Sequence, residues 1–88
     1  MNNFPKPCRI KIQYDKELSK ITGTREEESV VSEGFPFIFF LQTLFETHPD
    51  IERRFPPGQL AFVINGARPS DYCVLKDGDT VAMAAKQS

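Results

Sequence analysis

Polar and apolar residues alternate singly near the start of the chain, and the period then switches repeatedly between that of a strand and that of a helix. Ile10, Ile12 and Tyr14 interleave with Arg9, Lys11 and Gln13, the period of two that turns one face of a strand to a core and the other to water. This predicts a strand over 8–14, after a short extended lead-in at 1–7 that carries Pro5 and Pro7. Asp15 to Gly23 has an acidic start, Leu18 and Ile21 three apart and a closing glycine, which predicts one or two helical turns. A second strand is expected over roughly 24–32, where Arg25, Glu26, Glu27 and Glu28 run into Val30 and Val31. The glutamate run suits a solvated edge strand protected by charge, with an acidic docking patch as the alternative.

The longest helical pattern is PFIFFLQTLFETHP, with Pro36 at a first helical position and Pro49 as its stop. At about 100° per residue, Phe37, Phe40, Leu41, Leu44 and Phe45 share one face, opposite Gln42, Thr43 and Glu46. Phe39 falls on the polar side, either as a tolerated surface aromatic or, joined by Ile38, as a partner-facing group. A connection follows, with a helical turn at 50–54 ended by Pro56-Pro57-Gly58. Leu60 to Ile64 is a nearly continuous apolar run, which predicts a strand buried on both faces. Asn65-Gly66 takes the two positive φ values of a type I′ turn, so a short strand around Ala67–Arg68 should fold back before Pro69 ends it. Asp77-Gly78-Asp79 marks another tight turn, leading into a last strand at 80–84.

Composition narrows the class of activity. Eighty-eight residues, 40% of them hydrophobic and eight of them Phe, allow one small folded domain, too short to join a nucleotide-binding domain to a catalytic one. Lys and Arg number 11 against 12 Asp and Glu, so no net field favours nucleic acid or an anionic membrane. No apolar run approaches the ~20 residues of a membrane span, and MNNFPKPC lacks the apolar segment of a signal peptide. A cytoplasmic protein is expected. Cys8 and Cys73 are far apart without a CxxC pairing, and His48 is the sole histidine, which gives neither a zinc site nor a disulfide framework. Two reduced, structural thiols and a capping or solvated His48 are expected. A Cys–His nucleophilic pair is formally available, but nothing in the sequence brings either thiol to His48. With no acid/base pair at a telling spacing and no phosphate-binding loop, the chain itself is not expected to be an enzyme.

The element order ββαβββ, one amphipathic helix over a mixed sheet, is that of the α+β ubiquitin-like β-grasp fold. Leu60-Ala-Phe-Val-Ile-Asn-Gly66, followed by Leu75-Lys-Asp-Gly-Asp-Thr-Val-Ala82, resembles the sulfur-carrier branch of that fold, the MoaD and ThiS proteins. In that family an apolar strand ends in a VN or NG turn and L-x-D-G-D-x-V-A enters the last strand. Glu17-Leu18 through Gly23-Thr24 is similar to the family's REL-x-G segment, and His48-Pro49 with Ile51 and Phe55 to its YP-x-L segment. The resemblance covers most of residues 9–84 and implies a β-grasp domain over 8–85 with a tail at 86–88. It also implies that the last strand enters the middle of the sheet through Asp77-Gly78-Asp79, anchored by Leu75.

Family carriers end in Gly-Gly, and an activating enzyme adenylates the terminal carboxylate before a sulfur donor converts it to a thiocarboxylate. The present sequence stops at Ser88, about where the diglycine would begin, so as written it is expected to lack a competent tail. Three readings follow: a carrier cut before its diglycine, a member that keeps the fold for binding alone, or a likeness of fold only. Conjugation through Ser88 itself ranks last, because its side chain would crowd a channel shaped for glycine. The resemblance implies a protein partner, either an adenylating enzyme of the ubiquitin-activating type or a larger synthase subunit. The partner would use ATP, and the chain itself would bind no cofactor. The docking residues expected are Met83, Ala84, Ala85, Lys86, Gln87 and Ser88, where the two alanines leave a slim backbone that could lie in a groove or add a strand, and secondarily Phe39. Asn65, Gly66, Asp77, Gly78 and Asp79 are expected to be structural turns. The alternative function is a non-carrying ubiquitin-like interaction module.

Overall fold

In the computed structural model, which describes residues 6–56, 58–70 and 73–86, the alternating segment forms β1 (Pro7–Tyr14). Cys8, Ile10, Ile12 and Tyr14 are buried and the residues between them exposed, as alternation on a one-sided sheet requires. Next comes α1 (Lys16–Thr22), capped by the Asp15 carboxylate on the Leu18 N–H at 2.8 Å and closed by Gly23 at φ 80°. β2 (Glu26–Ser32) returns antiparallel along β1, with Gln13 opposite Glu26 and Pro7 opposite Ser32.

α2 (Phe37–Thr47) sends Phe37, Phe40, Leu41 and Leu44 into one core with Ile10, Ile12, Val81 and Met83. Pro36 lies one position outside this helix. It stays extended at ψ 146° because it bridges to Val74, and the Phe37 N–H is spent on the Cys73 carbonyl at 2.8 Å. Pro49 ends α2 and opens α3 (Pro49–Arg54), whose Ile51 is fully buried. β3 (Leu60–Ile64) and β4 (Thr80–Ala85) complete a sheet of order β2-β1-β4-β3. β4 runs parallel to β1, Val81 opposite Ile12, and antiparallel to β3, Met83 opposite Phe62. Phe62 meets Phe37 edge-on at 5.7 Å, joining this sheet to α2. No described helix is long and apolar enough to cross a membrane.

Two strand expectations need correction. β3 is an edge strand rather than one buried on both faces, and only Leu60 in it is fully buried. Leu60, Phe62 and Ile64 share the face of Met83 and Val81, while Ala61 and Val63 pair with Ala84 and Ala82 on the open face. An apolar run looks the same whether its second face is covered or merely lined with small residues. The strand expected at Ala67–Arg68 is a single bridge. Ile64 and Ala67 exchange backbone hydrogen bonds of 2.8 and 3.0 Å across Asn65 and Gly66, at φ 50° and 86°, as the type I′ turn demands. In that register the next hydrogen-bonded pair would be Phe62 with Pro69, and proline has no N–H to give.

Candidate functional site

β4 enters the sheet through two turns clamped together. Asn65 donates its Nδ2 to Asp79 Oδ1 at 2.8 Å and accepts the Thr80 N–H on Oδ1 at 2.9 Å. Asp79 Oδ2 accepts the Lys76 N–H and Asp77 Oδ1 the Arg9 N–H, at 2.8 and 2.7 Å. Gly78 sits between them at φ 89° and donates its N–H to the Arg9 carbonyl at 2.9 Å. A Cβ at Gly78 would meet nothing within 4 Å, so the requirement for glycine is one of backbone angle and not of space. Gly78→Val is therefore expected to cost about 1–3 kcal/mol through forced left-handed backbone. Substitution of Glu26 or Glu28, both exposed, is expected to change stability by less than about 0.5 kcal/mol. Melting temperatures by circular dichroism compare them, and a Gly78→Val midpoint equal to the parent's contradicts this account of the turn.

At its other end β4 leaves the sheet beside Asp15, a residue whose second role sequence reasoning missed. Its Oδ1 caps α1, its Oδ2 accepts the Ala85 N–H at 3.0 Å, and its own N–H donates to the Met83 carbonyl at 3.0 Å. The Lys86 N–H then reaches the Gln59 carbonyl at 2.7 Å. These contacts alter the docking assignment. Met83 is 2% exposed and packs into the core, so its side chain cannot meet a partner. Ala84 and Ala85 are half-buried and paired with β3, so no free backbone edge remains there for strand addition. Lys86 is exposed, and Gln87 and Ser88 lie outside the described residues. Phe39 is 49% exposed with its ring 6.2 Å from that of Phe35, on the polar side of α2 where the periodicity put it.

A polar group closes the opposite edge of the sheet. The pairing of Ile12 with Glu27 turns Glu27 to the helix side, where its Oε1 accepts from the Tyr14 hydroxyl and lies 2.8 Å from His48 Nε2. The Tyr14 and His48 rings meet edge to face at 6.1 Å. Burial by itself would raise the Glu27 carboxyl, but the hydrogen bonds from Tyr14 and His48 and the charge of His48 outweigh it and hold Glu27 below the ordinary carboxylate range. Burial first, then the hydrogen bond and negative charge of Glu27, push the Tyr14 phenol far above its usual value. His48 is a cap as expected, closing α2 and preceding α3 through its backbone, with its N–H on the Leu44 carbonyl. Its side chain is not solvated but turned to Glu27, and Glu27 is not part of a solvated run. The parity of the strand was the available signal, since Glu27, Ser29 and the buried Val31 alternate onto one face.

The formal Cys–His pair does not form. Cys73 is at the N-terminal end of α2 and His48 at its C-terminal end, about 16 Å apart along a helix of 11 residues. Cys8 pairs with Val31 at the far end of β1 from Tyr14. Both thiols are free, Cys8 buried and Cys73 half-buried. Among the described residues no cluster of His, Cys, Asp or Glu is arranged to hold a metal ion. The group around Glu27 is a structural tie joining β1, β2 and the α2–α3 junction.

A helix laid across a mixed sheet whose last strand runs parallel to the first in its interior is the ubiquitin-like β-grasp fold. Among solved structures the chain is similar to a "putative molybdopterin converting factor, subunit 1" from Pyrococcus furiosus, with a TM-score of 0.80 at 21% identity over 91% of this chain and 99% of that one. It is similar as well to small archaeal modifier protein 1 of H. volcanii, with a TM-score of 0.78 at 19% identity over 91% and 99% of the two chains. Urm1 from Trypanosoma brucei gives 0.69 at 16% identity over 99% and 97%. These likenesses are of fold, and they agree with the MoaD resemblance carried by Leu60–Gly66 and Leu75–Ala82. No family model matches the chain, and no curated protein does either.

Proposed function

We propose that this chain is a ubiquitin-fold protein of the sulfur-carrier or modifier type, a small subunit that works with an adenylating enzyme or a larger synthase subunit and leaves catalysis to that partner. The observation that carries the reading is the exit of β4. The last strand runs between β1 and β3, and its end emerges at Lys86 with its direction held by Asp15 and Gln59. A carrier must offer its end to another protein's active site, and a terminus that leaves from the rigid middle of a sheet is well supported for that task. The solved neighbours support the same reading.

In the proposed chemistry the partner's ATP is attacked by the terminal carboxylate, which forms an acyl adenylate and releases pyrophosphate. Sulfide from a donor then attacks the acyl carbon, forming the C–S bond as the C–O bond to AMP breaks, and leaves a thiocarboxylate and AMP. The test compares the 88-residue chain with the same chain extended by Gly-Gly, each incubated with an adenylating enzyme of this class, ATP and a sulfur donor. The extended chain is expected to release pyrophosphate and to gain the mass of an oxygen-to-sulfur exchange, and the unextended chain to do neither. A thiocarboxylate on the unextended chain would overturn the need for glycine. An inert extended chain would leave the non-carrying interaction module as the function.

A further inference from the structure

We propose that the free edge of β3 is a docking site for an extended segment of a partner protein, one that alternates apolar and polar residues and is acidic at its ends. The proposal holds whether or not the chain is a carrier. The backbone comes first. Gln59 with Lys86 and Asn65 with Thr80 are hydrogen-bonded pairs across β3 and β4. Antiparallel strands alternate such pairs with outward-facing ones, so Leu60, Phe62 and Ile64 direct their N–H and C=O groups away from β4. Ile64 spends both on Ala67, and Pro69 cannot donate to Phe62. Among the described residues, Leu60 and Phe62 are left with backbone donors and acceptors at the edge and no backbone partner, which is the template that strand addition uses.

The surroundings of that edge specify the incoming side chains. Two adjoining cavities of about 380 and 260 Å³ lie between β3 and α2, and both include Leu41, Leu60 and Phe62. An added strand would send alternate side chains into this apolar gap and the others toward the open face beside Ala61 and Val63. Charge gives the ends. The larger cavity has two charged residues on its wall, Arg68 and Lys86. They stand at opposite ends of the edge, Lys86 beside Gln59 and Arg68 just past the Ile64–Ala67 bridge, and neither is in an ion pair among the described residues. Glu52 borders only the smaller cavity, on the α3 side. A second copy of this chain fits poorly, because antiparallel pairing of two β3 edges brings Lys86 of one onto Arg68 of the other.

The test titrates the full chain, labelled with ¹⁵N, with the capped heptapeptide Glu-Val-Thr-Val-Thr-Val-Glu and with its Lys-ended counterpart. The amide signals of Leu60 and Phe62 are expected to move, with at least tenfold tighter binding of the Glu-ended peptide. Methylating either the valine or the threonine amides should abolish binding, and which set does so reports the strand direction. The double variant Arg68→Glu, Lys86→Glu, with its fold checked by circular dichroism, should reverse the preference to the Lys-ended peptide. Equal affinity for the two peptides, shifts confined to other strands, or no shifts at millimolar peptide would each overturn the proposal, the last meaning that the two cations only guard the edge. Leu60 and Phe62 amides that exchange as slowly as those of β1 in the free protein would show the edge already closed. Dimerisation in sedimentation would assign it to a second copy.

Discussion

Truncating Phe40 to alanine should lower the stability of the fold by about 3–5 kcal/mol, a large part of the roughly 5–15 kcal/mol available to a domain. Phe40 is 2% exposed and stacks on Phe37 at 6.4 Å in the middle of the helix face that covers the sheet. The void would open beside Ile12 of β1 and the adjoining part of β2, and β1 is tied into the ladder on both sides, which limits its collapse. Phe39→Ala is the matched control on the same helix, expected to cost less than about 1 kcal/mol because half of that ring already lies in water. Urea unfolding followed by circular dichroism measures both, and similar midpoints for the two variants would contradict the assignment of the α2 faces.

The second large effect depends on pH. Glu27→Leu should cost about 1–3 kcal/mol at neutral pH, since the Tyr14 hydroxyl and His48 Nε2 lose their shared acceptor in a half-buried setting. The acid limb follows from the depressed carboxyl. The folded state binds fewer protons than the unfolded state in that range, so the contribution of Glu27 is present above its ordinary 4.5 and is lost as pH falls through the lower folded value. For Tyr14 the sign reverses. Its raised phenol contributes stability that is present below the ordinary 10.0 and lost as pH rises beyond it. Melting temperature against pH should show a shallower acid limb for Glu27→Gln and a shallower alkaline limb for Tyr14→Phe. Limbs parallel to the parent's would mean that the group does not titrate as a unit with folding.

The features legible in the sequence were those set by residues close in the chain. Single alternation gave β1 and its buried face, Asp15 and Gly23 gave the ends of α1, and the 3.6-residue period separated Phe40 from Phe39. Asn65-Gly66 and Asp77-Gly78-Asp79 announced their turns because few residues accept a positive φ. What the tertiary structure alone decided were partners and faces. Three consecutive glutamates look equivalent until the pairing of Ile12 with Glu27 turns one of them inward to Tyr14 and His48. Met83 looked available near the end of the chain, yet insertion of β4 between β1 and β3 puts it in the core. Asp15 advertised a helix cap, and its hold on Ala85 exists only because the last strand arrives beside the first. Capping, turn geometry and periodicity are decided within a few bonds of the residue concerned. Strand order and register are decided by contacts between segments that the sequence keeps far apart.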